Sequence, residues 1–344
     1  MSIERIILIV ITTFAFTALF IPIVKKIAMH IGAIDIPNER KIHKKPMPRL
    51  GGIGIYAGFL LGYLIFGEMT YMMNAILIGS FIILITGIID DIKPIKAYQK
   101  LIGQFVACLV AVIYGGILLE DINVFGLYID FGWLAYPITI LFMLGCINCM
   151  NFIDGLDGLA GGIAVIFFTT IGIIAHFQSM AGLSYALSIT ITFIMLGSTG
   201  GFLFHNFYPA KIFMGDSGSM FLGFMISIIT ILGFKSVMMS SIIIPLFILV
   251  VPILDTLFAI LRRKLKGESV MLPDKSHIHH QLLRRNFTQR QTVLTIYLIT
   301  VLFSTASIIY VLLSQTIGMV IYGVLLLGVL CFIFKTDVIF DRKK

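Results

Sequence analysis

Uncharged apolar runs of about 20 residues follow one another along nearly the whole chain, and little else constrains its fold as strongly. They are 6–24, 50–67, 69–89, 101–119, 131–153, 217–234 and 236–254. Two longer stretches each hold two spans. Residues 158–210 break near 176–182, and residues 291–334 break near 314–315. Each span can cross the hydrocarbon, where an α-helix hides its own backbone polarity. The pattern predicts an all-α, polytopic integral membrane protein of about eleven transmembrane helices. Composition excludes a water-soluble domain: 59% of residues are hydrophobic and 12% are charged, about half the usual charged share. The first run has no small-residue cleavage motif, so a retained span is expected there and not a signal peptide.

With eleven spans the loops alternate between the two sides. One set comprises 25–49, 90–100, 154–157, 205–216, 262–290 and the tail 335–344, and it carries 23 of the 25 Lys and Arg residues. The other set carries only Arg5 and Lys235. The positive-inside rule then predicts an outer N-terminus and a cytoplasmic C-terminus, in one transmembrane domain over residues 1–344 of an inner or plasma membrane. The net charge of +8 restates this bias and requires no nucleic acid. Cys108, Cys146, Cys149 and Cys331 all lie in apolar spans, where they read as small filler and not as metal or redox groups.

The inner loops hold the unusual chemistry. They contain IPNERKIHKKPMPRLGG (36–52), GIIDDIKPIKAYQK (87–100), NFIDGLDGLAGG (151–162), HNFYPAKIFMGDSGS (205–219) and LRRKLKGESVMLPDKSHIHH (261–280). Asp90, Asp91, Asp154, Asp157 and Asp216 therefore fall on one membrane face, each at a helix end. Asp90 and Asp91 stand where the helix dipole disfavours acids. Each feature has an ordinary reading by itself. Asp216 suits an N-cap, Asp154 and Asp157 suit interfacial acids, and the histidines of H-x-H-H suit a solvated loop. Asp255 differs because it lies inside a span, where an acid is paired or functional. Arg262 and Arg263 follow it on the same helical face. Carboxylates at the rim of a basic face suit a divalent cation shared with a phosphorylated substrate.

Taken together and in order, RKIHKKPMPRLGG, GIIDDIK, NFIDGLDGLAGG, NFYPAKIFMGDSGS and PDKSHIHH resemble the polyprenyl-phosphate N-acetylhexosamine-1-phosphate transferases, over about residues 5–335. The resemblance implies transfer of a sugar-1-phosphate from a UDP-sugar to undecaprenyl phosphate on the cytoplasmic face, with UMP released. His277-Ile278-His279-His280, with Arg40, Lys41 and His43, looks like the UDP-GlcNAc branch, which starts teichoic acid, O-antigen (lipopolysaccharide) or enterobacterial common antigen chains. The alternative branch uses UDP-MurNAc-pentapeptide and usually has three consecutive histidines.

The resemblance also implies roles. Asp216 matches the Mg²⁺ ligand, with Mn²⁺ as a substitute ion. Asp90 matches the acid beside the lipid phosphate, with Asp91 supporting it. Asp154 matches a catalytic partner near the reacting phosphates. Asn151, Asp157, Asn206 and Phe213 match nucleotide contacts, Phe213 by stacking on uracil. His277, His279 and His280 match phosphate contacts. Lys44 and Arg49 fall where relatives contact the nucleotide, although Arg49 departs from the threonine of the pentapeptide branch. The expected route is a single displacement, with a phospho-aspartate route as its rival. An ion-coupled transporter also fits intramembrane acids, but no repeated halves are visible. A CDP-alcohol phosphatidyltransferase needs an arginine that is missing after Asp154-Gly155. Membrane lipid is an expected partner, and a homodimer is left open.

Overall fold

The computed structural model describes residues 1–36, 46–124, 127–180, 186–234, 243–265, 267 and 277–335. They form α1 (Ile3–His30), α2 (Gly51–Phe66), α3 (Tyr71–Ile92), α4 (Ala97–Leu109), α5 (Ala135–Ile153), α6 (Leu159–Met180), α7 (Ala186–Asn206), α8 (Gly215–Phe234), α9 (Ile243–Ile248), α10 (Val250–Leu265), α11 (Ile278–Arg284), α12 (Gln289–Leu312) and α13 (Gln315–Lys335). A π turn, Val110–Tyr114, extends α4. Two short antiparallel ribbons complete the fold. β1 (Ile34–Asp35) pairs with β2 (Met47–Pro48), and β3 (Asp121–Val124) pairs with β4 (Leu127–Asp130).

The protein is an all-α, polytopic membrane protein. Among the described residues, nine helices are long and apolar enough to cross a membrane, and α2 is apolar but shorter. The span expected at 236–254 differs from its sequence reading. Within its described part the chain forms α9 and then α10, which runs on to Leu265. Pro252 explains the break. It has no N–H to give the carbonyl of Ile248, so the ladder is interrupted at the α9–α10 junction. Polar caps start other helices: Thr70 Oγ1 accepts from Met73 N at 3.1 Å, and Thr288 and Gln291 form a capping box.

Helix α8 is the centre of the bundle and is buried along nearly its whole span. It packs against α2, α3 and α5, while α7 packs against α1, α2 and α6, and α12 against α6 and α13. Close approach depends on missing side chains. A Cβ at Gly87 of α3 would run into the backbone of Ser217, and one at Gly52 of α2 into the backbone of Gly218. Aromatic rings fill the space around this contact, with Tyr56 edge-on to Phe221 at 5.3 Å between centroids. Buried hydroxyls bond back to their own helices, as Thr192 does to the Ser188 carbonyl at 2.7 Å. The result is that the N-terminus of α8 meets the ends of α2, α3, α4 and α5 at one point.

Candidate active site

The site is built on the N-terminus of α8. Gly215 opens it with φ +73, a left-handed turn that glycine adopts without strain. Glycine is needed there twice over, because a Cβ would also meet the Asp91 carboxylate. Asp91 Oδ1 accepts from the N–H of Asp216 at 2.8 Å, and Asp91 Oδ2 accepts from the N–H and hydroxyl of Ser217 at 3.1 and 2.7 Å. An acid disfavoured at the end of α3 is thus favoured at the start of α8, where free N–H groups and the dipole welcome it. Asp91, and not Asp216, caps α8. Asp216 sits one residue into the helix with its carboxylate free for other work.

Two cations converge on that carboxylate. The Arg49 guanidinium lies 3.4 Å from Asp216, 3.3 Å from Asp91 and 3.5 Å from Asp35. Burial works against its charge, but Asp91, Asp216, Asp35 and Asp90 outweigh burial and raise its pKa above the ordinary arginine value. Arg49 is aimed by the backbone around it. Leu50 has φ 107, and the N–H groups of Gly51 and Gly52 bond to the carbonyls of Phe213 and Met214 at 3.0 and 2.9 Å. Phe213 N returns a bond to the Pro48 carbonyl at 2.9 Å. The motifs PRLGG and FMGD are therefore one ladder. The second cation is Lys100 of α4, which ion-pairs with Asp216 and lies 3.2 Å from Asp90. In the sequence Lys100 is one of many inner-loop lysines. Its only signal was a position seven to ten residues after the Asp90–Lys93 turn, on an amphipathic helix start. Asp90 is also fixed from below, since its Oδ1 accepts from Ile95 N at 2.9 Å.

The stretch NFIDGLDGLAGG wraps this cluster. Asn151 donates to Ser219 Oγ at 2.9 Å and also bonds Asp216. Asp154 follows the end of α5. Burial, then the nearby Asp216, push its pKa from the usual 3.8 up to about 7, against the pull of Arg49. Folded Asp154 therefore keeps its proton where the unfolded chain releases it. The stability gained is full below about pH 4 and is lost as pH rises to about 7. Asp154→Asn should match the parent at pH 4 and exceed it by about 1–3 kcal/mol at pH 8 without divalent cations. Thermal unfolding in detergent measures this, and a difference that does not change with pH would refute it.

Asp157 and Asn206 both brace loops beside the site. Asp157 accepts from Ala210 N at 3.0 Å. Asn206 is buried, accepts from Gly158 N at 3.0 Å and donates to the Ile212 carbonyl at 2.9 Å. Its amide braces two loops, because the buried N–H and C=O there need partners. Phe213 is half-buried at the start of the FMGD turn. Lys44 lies outside the described residues, as do Pro273 and Asp274.

The histidines approach from the other side. Asp255 is buried in α10, and its partner is His277, whose Nδ1 lies 2.9 Å from Asp255 Oδ2, while Ile278 N donates to Oδ1 at 2.7 Å. The carboxylate thereby fixes the His277 ring and starts α11. The rings of His277 and His279 lie parallel at 5.6 Å, and His279 is 4.2 Å from His280. Burial drives the His279 pKa down to about 3 despite Asp255. Burial therefore favours the neutral imidazole at His279, which faces the site as a hydrogen-bonding group. A Cβ on Gly155 would strike the His279 imidazole, which ties the two motifs together. Gly155→Ala should lower turnover about tenfold by displacing His279, with the fold retained because residue 155 is exposed. A parent-like rate in that variant would show that the place of His279 does not matter.

Beside the cluster lies a largely apolar cavity of about 870 Å³ between α4, α5, α9 and α10. Leu246, Leu249, Ile253, Leu257 and Phe142 line its length, and Lys100, Arg263, His277, His279 and His280 line its other end. Among the described residues, no three His, Cys, Asp or Glu side chains form a ready metal cage.

Comparison with known proteins matches residues 73–234 to glycosyl transferase family 4. The chain is 44% identical over 310 residues to a probable undecaprenyl-phosphate N-acetylglucosaminyl 1-phosphate transferase of Bacillus subtilis (strain 168), covering 89% of this chain and 84% of the relative. It is 32% identical over 317 residues to a decaprenyl-phosphate N-acetylglucosaminephosphotransferase of Mycolicibacterium smegmatis, covering 83% and 78%. It is 30% identical over 308 residues to the undecaprenyl-phosphate alpha-N-acetylglucosaminyl 1-phosphate transferase of Escherichia coli (strain K12), covering 87% and 82%.

Proposed function

The chain belongs to glycosyl transferase family 4, beside the polyprenyl-phosphate N-acetylglucosaminyl 1-phosphate transferases, and on that premise we propose how its residues divide the work. The protein is an enzyme that transfers N-acetylglucosamine 1-phosphate to a polyprenyl phosphate. The donor is UDP-GlcNAc, the site faces the cytoplasm, and the product begins a cell-envelope glycan such as teichoic acid or a lipopolysaccharide chain. The observation that carries this reading is the juxtaposition of a long apolar cavity, a cationic end to it, and the Asp216 cluster alongside. An isoprenoid tail fits the apolar length. Its phosphate is held by Lys100, Arg263 and the histidines, within reach of the carboxylates.

The donor set suits Mg²⁺. Asp216 and Asp90 offer hard oxygens with a cation already stationed against both, and Mg²⁺ commonly takes one or two carboxylates with substrate phosphates. When bound, the ion supplies charge neutralisation to the diphosphate. Arg49 and Lys100 neutralise the remaining phosphate oxygens, Asn151 orients Asp216, and Asp91 holds the helix end. In a single displacement, a lipid phosphate oxygen bonds to the β-phosphorus, the bridging P–O bond breaks, and UMP leaves with its electron pair. Phosphoryl transfer needs mainly this positioning and charge stabilisation.

Asp91 is a poor nucleophile for a phospho-aspartate route because its carboxylate is committed to the start of α8. Both of its oxygens accept hydrogen bonds, one from Asp216 N and the other from Ser217. The purified protein with Mg²⁺, undecaprenyl phosphate and a panel of UDP-sugars should release UMP with UDP-GlcNAc. No UMP with any donor would overturn the reading. Ping-pong kinetics, or UMP release without lipid, would sink single displacement alone.

A further inference from the structure

Two amides lie one helical turn deeper than the site, inside the span. Asn148 of α5 donates to Gln104 Oε1 at 2.9 Å, and Gln104 of α4 returns a longer bond to Asn148 Oδ1 at 3.4 Å. Each has a second partner. Asn148 donates to the Leu144 carbonyl at 2.8 Å, and Gln104 donates to Met220 Sδ of α8 at 3.2 Å. Gln104 is buried, and both residues line the cavity.

Their spacing is informative. Gln104 lies four residues after Lys100, Asn148 three before Asn151, and Met220 four after Asp216. Residues three and four apart stack on one helical face. The contact among Gln104, Asn148 and Met220 therefore repeats, one turn down, the contact among Lys100, Asn151 and Asp216 on the same three helices. Plain packing does not require amides here. Leucine would fill the volume without needing a partner, and polar groups in hydrocarbon must be satisfied. What a reciprocal amide pair adds is a set distance and register between α4 and α5.

We propose that Gln104 and Asn148 are positioning residues for the transfer: an intramembrane latch that sets where Lys100 of α4 and Asn151 of α5 meet Asp216. The latch touches neither reacting phosphate. It acts by holding α4 so that the Lys100 ammonium stays on the Asp216 and Asp90 carboxylates. The inference rests on the site assigned above, so its test reads both turnover and a property independent of the reaction.

The experiment is a cycle of near-conservative variants in the full chain in nanodiscs: Gln104→Asn, Asn148→Gln, and the two together. Each single change breaks the match in length, and the pair restores it. Unfolding temperature checks that all three fold. Each single variant should lose about 10- to 100-fold in kcat for UMP release, with KM for UDP-GlcNAc little changed. The Lys100 amine should become more reactive toward an acylating reagent, read by mass spectrometry of the peptide. The exchanged pair should recover both kcat and Lys100 protection. Single variants with parent-like kcat and Lys100 protection would overturn the latch, as would losses that simply multiply in the pair. Lys100 protection is measured without substrate, so a wrong donor assignment and a wrong latch give different results.

Discussion

Asp216→Ala should reduce sugar-1-phosphate transfer by at least about 10³-fold, at any Mg²⁺ concentration. The variant separates function from fold because Asp216 is not the helix cap. Asp91 would still accept from the N–H groups of residues 216 and 217, so α8 keeps its start and the bundle its centre. What is lost is the carboxylate on which Arg49, Lys100 and Asn151 converge. UMP release over a wide Mg²⁺ range, beside a thermal melt, measures both. A folded variant with activity within tenfold of the parent would remove Asp216 as the metal ligand.

Lys100→Met should lower kcat by about 10²- to 10³-fold. Methionine keeps the stem's volume and removes the charge, leaving Asp216 and Asp90 facing each other across one less cation. Stability should fall as well. The loss should be smaller than the about 3–5 kcal/mol of a fully buried broken pair, because Arg49 remains beside Asp216 and Lys100 keeps 22% of its side-chain surface. A variant that melts earlier yet turns over at the parent rate would make Lys100 a purely structural counter-charge.

These two residues differ in how far their roles could be read in advance. Asp216 stands in M-G-D-S-G at the start of an apolar run, so its spacing announces a helix end and its chemistry a cation. Lys100 stands among 23 inner lysines and arginines, most of which set topology. Little beyond its offset from the Asp90–Lys93 turn marks it, because its partners are 10 and 116 residues away. The same holds for Asp255. Its position inside a span required a partner, and the basic residues on its own helix were nearest in sequence, yet His277 lies against it. Asn206 shows the same limit. Its place before a site motif does not reveal that its amide braces the backbone at Gly158 and Ile212.

The class of fold, the succession of apolar runs and the family were legible in the residues alone. Those follow from hydropathy, charge asymmetry and ordered motifs, which are local or additive properties of the chain. Tertiary contacts alone settled that Asp91 caps a helix 124 residues on and which cation meets which carboxylate. They also revealed the cavity beside α4, α5, α9 and α10. Those depend on how closely helices approach, and that distance is set by glycines, amide pairs and a broken span acting between segments remote in sequence.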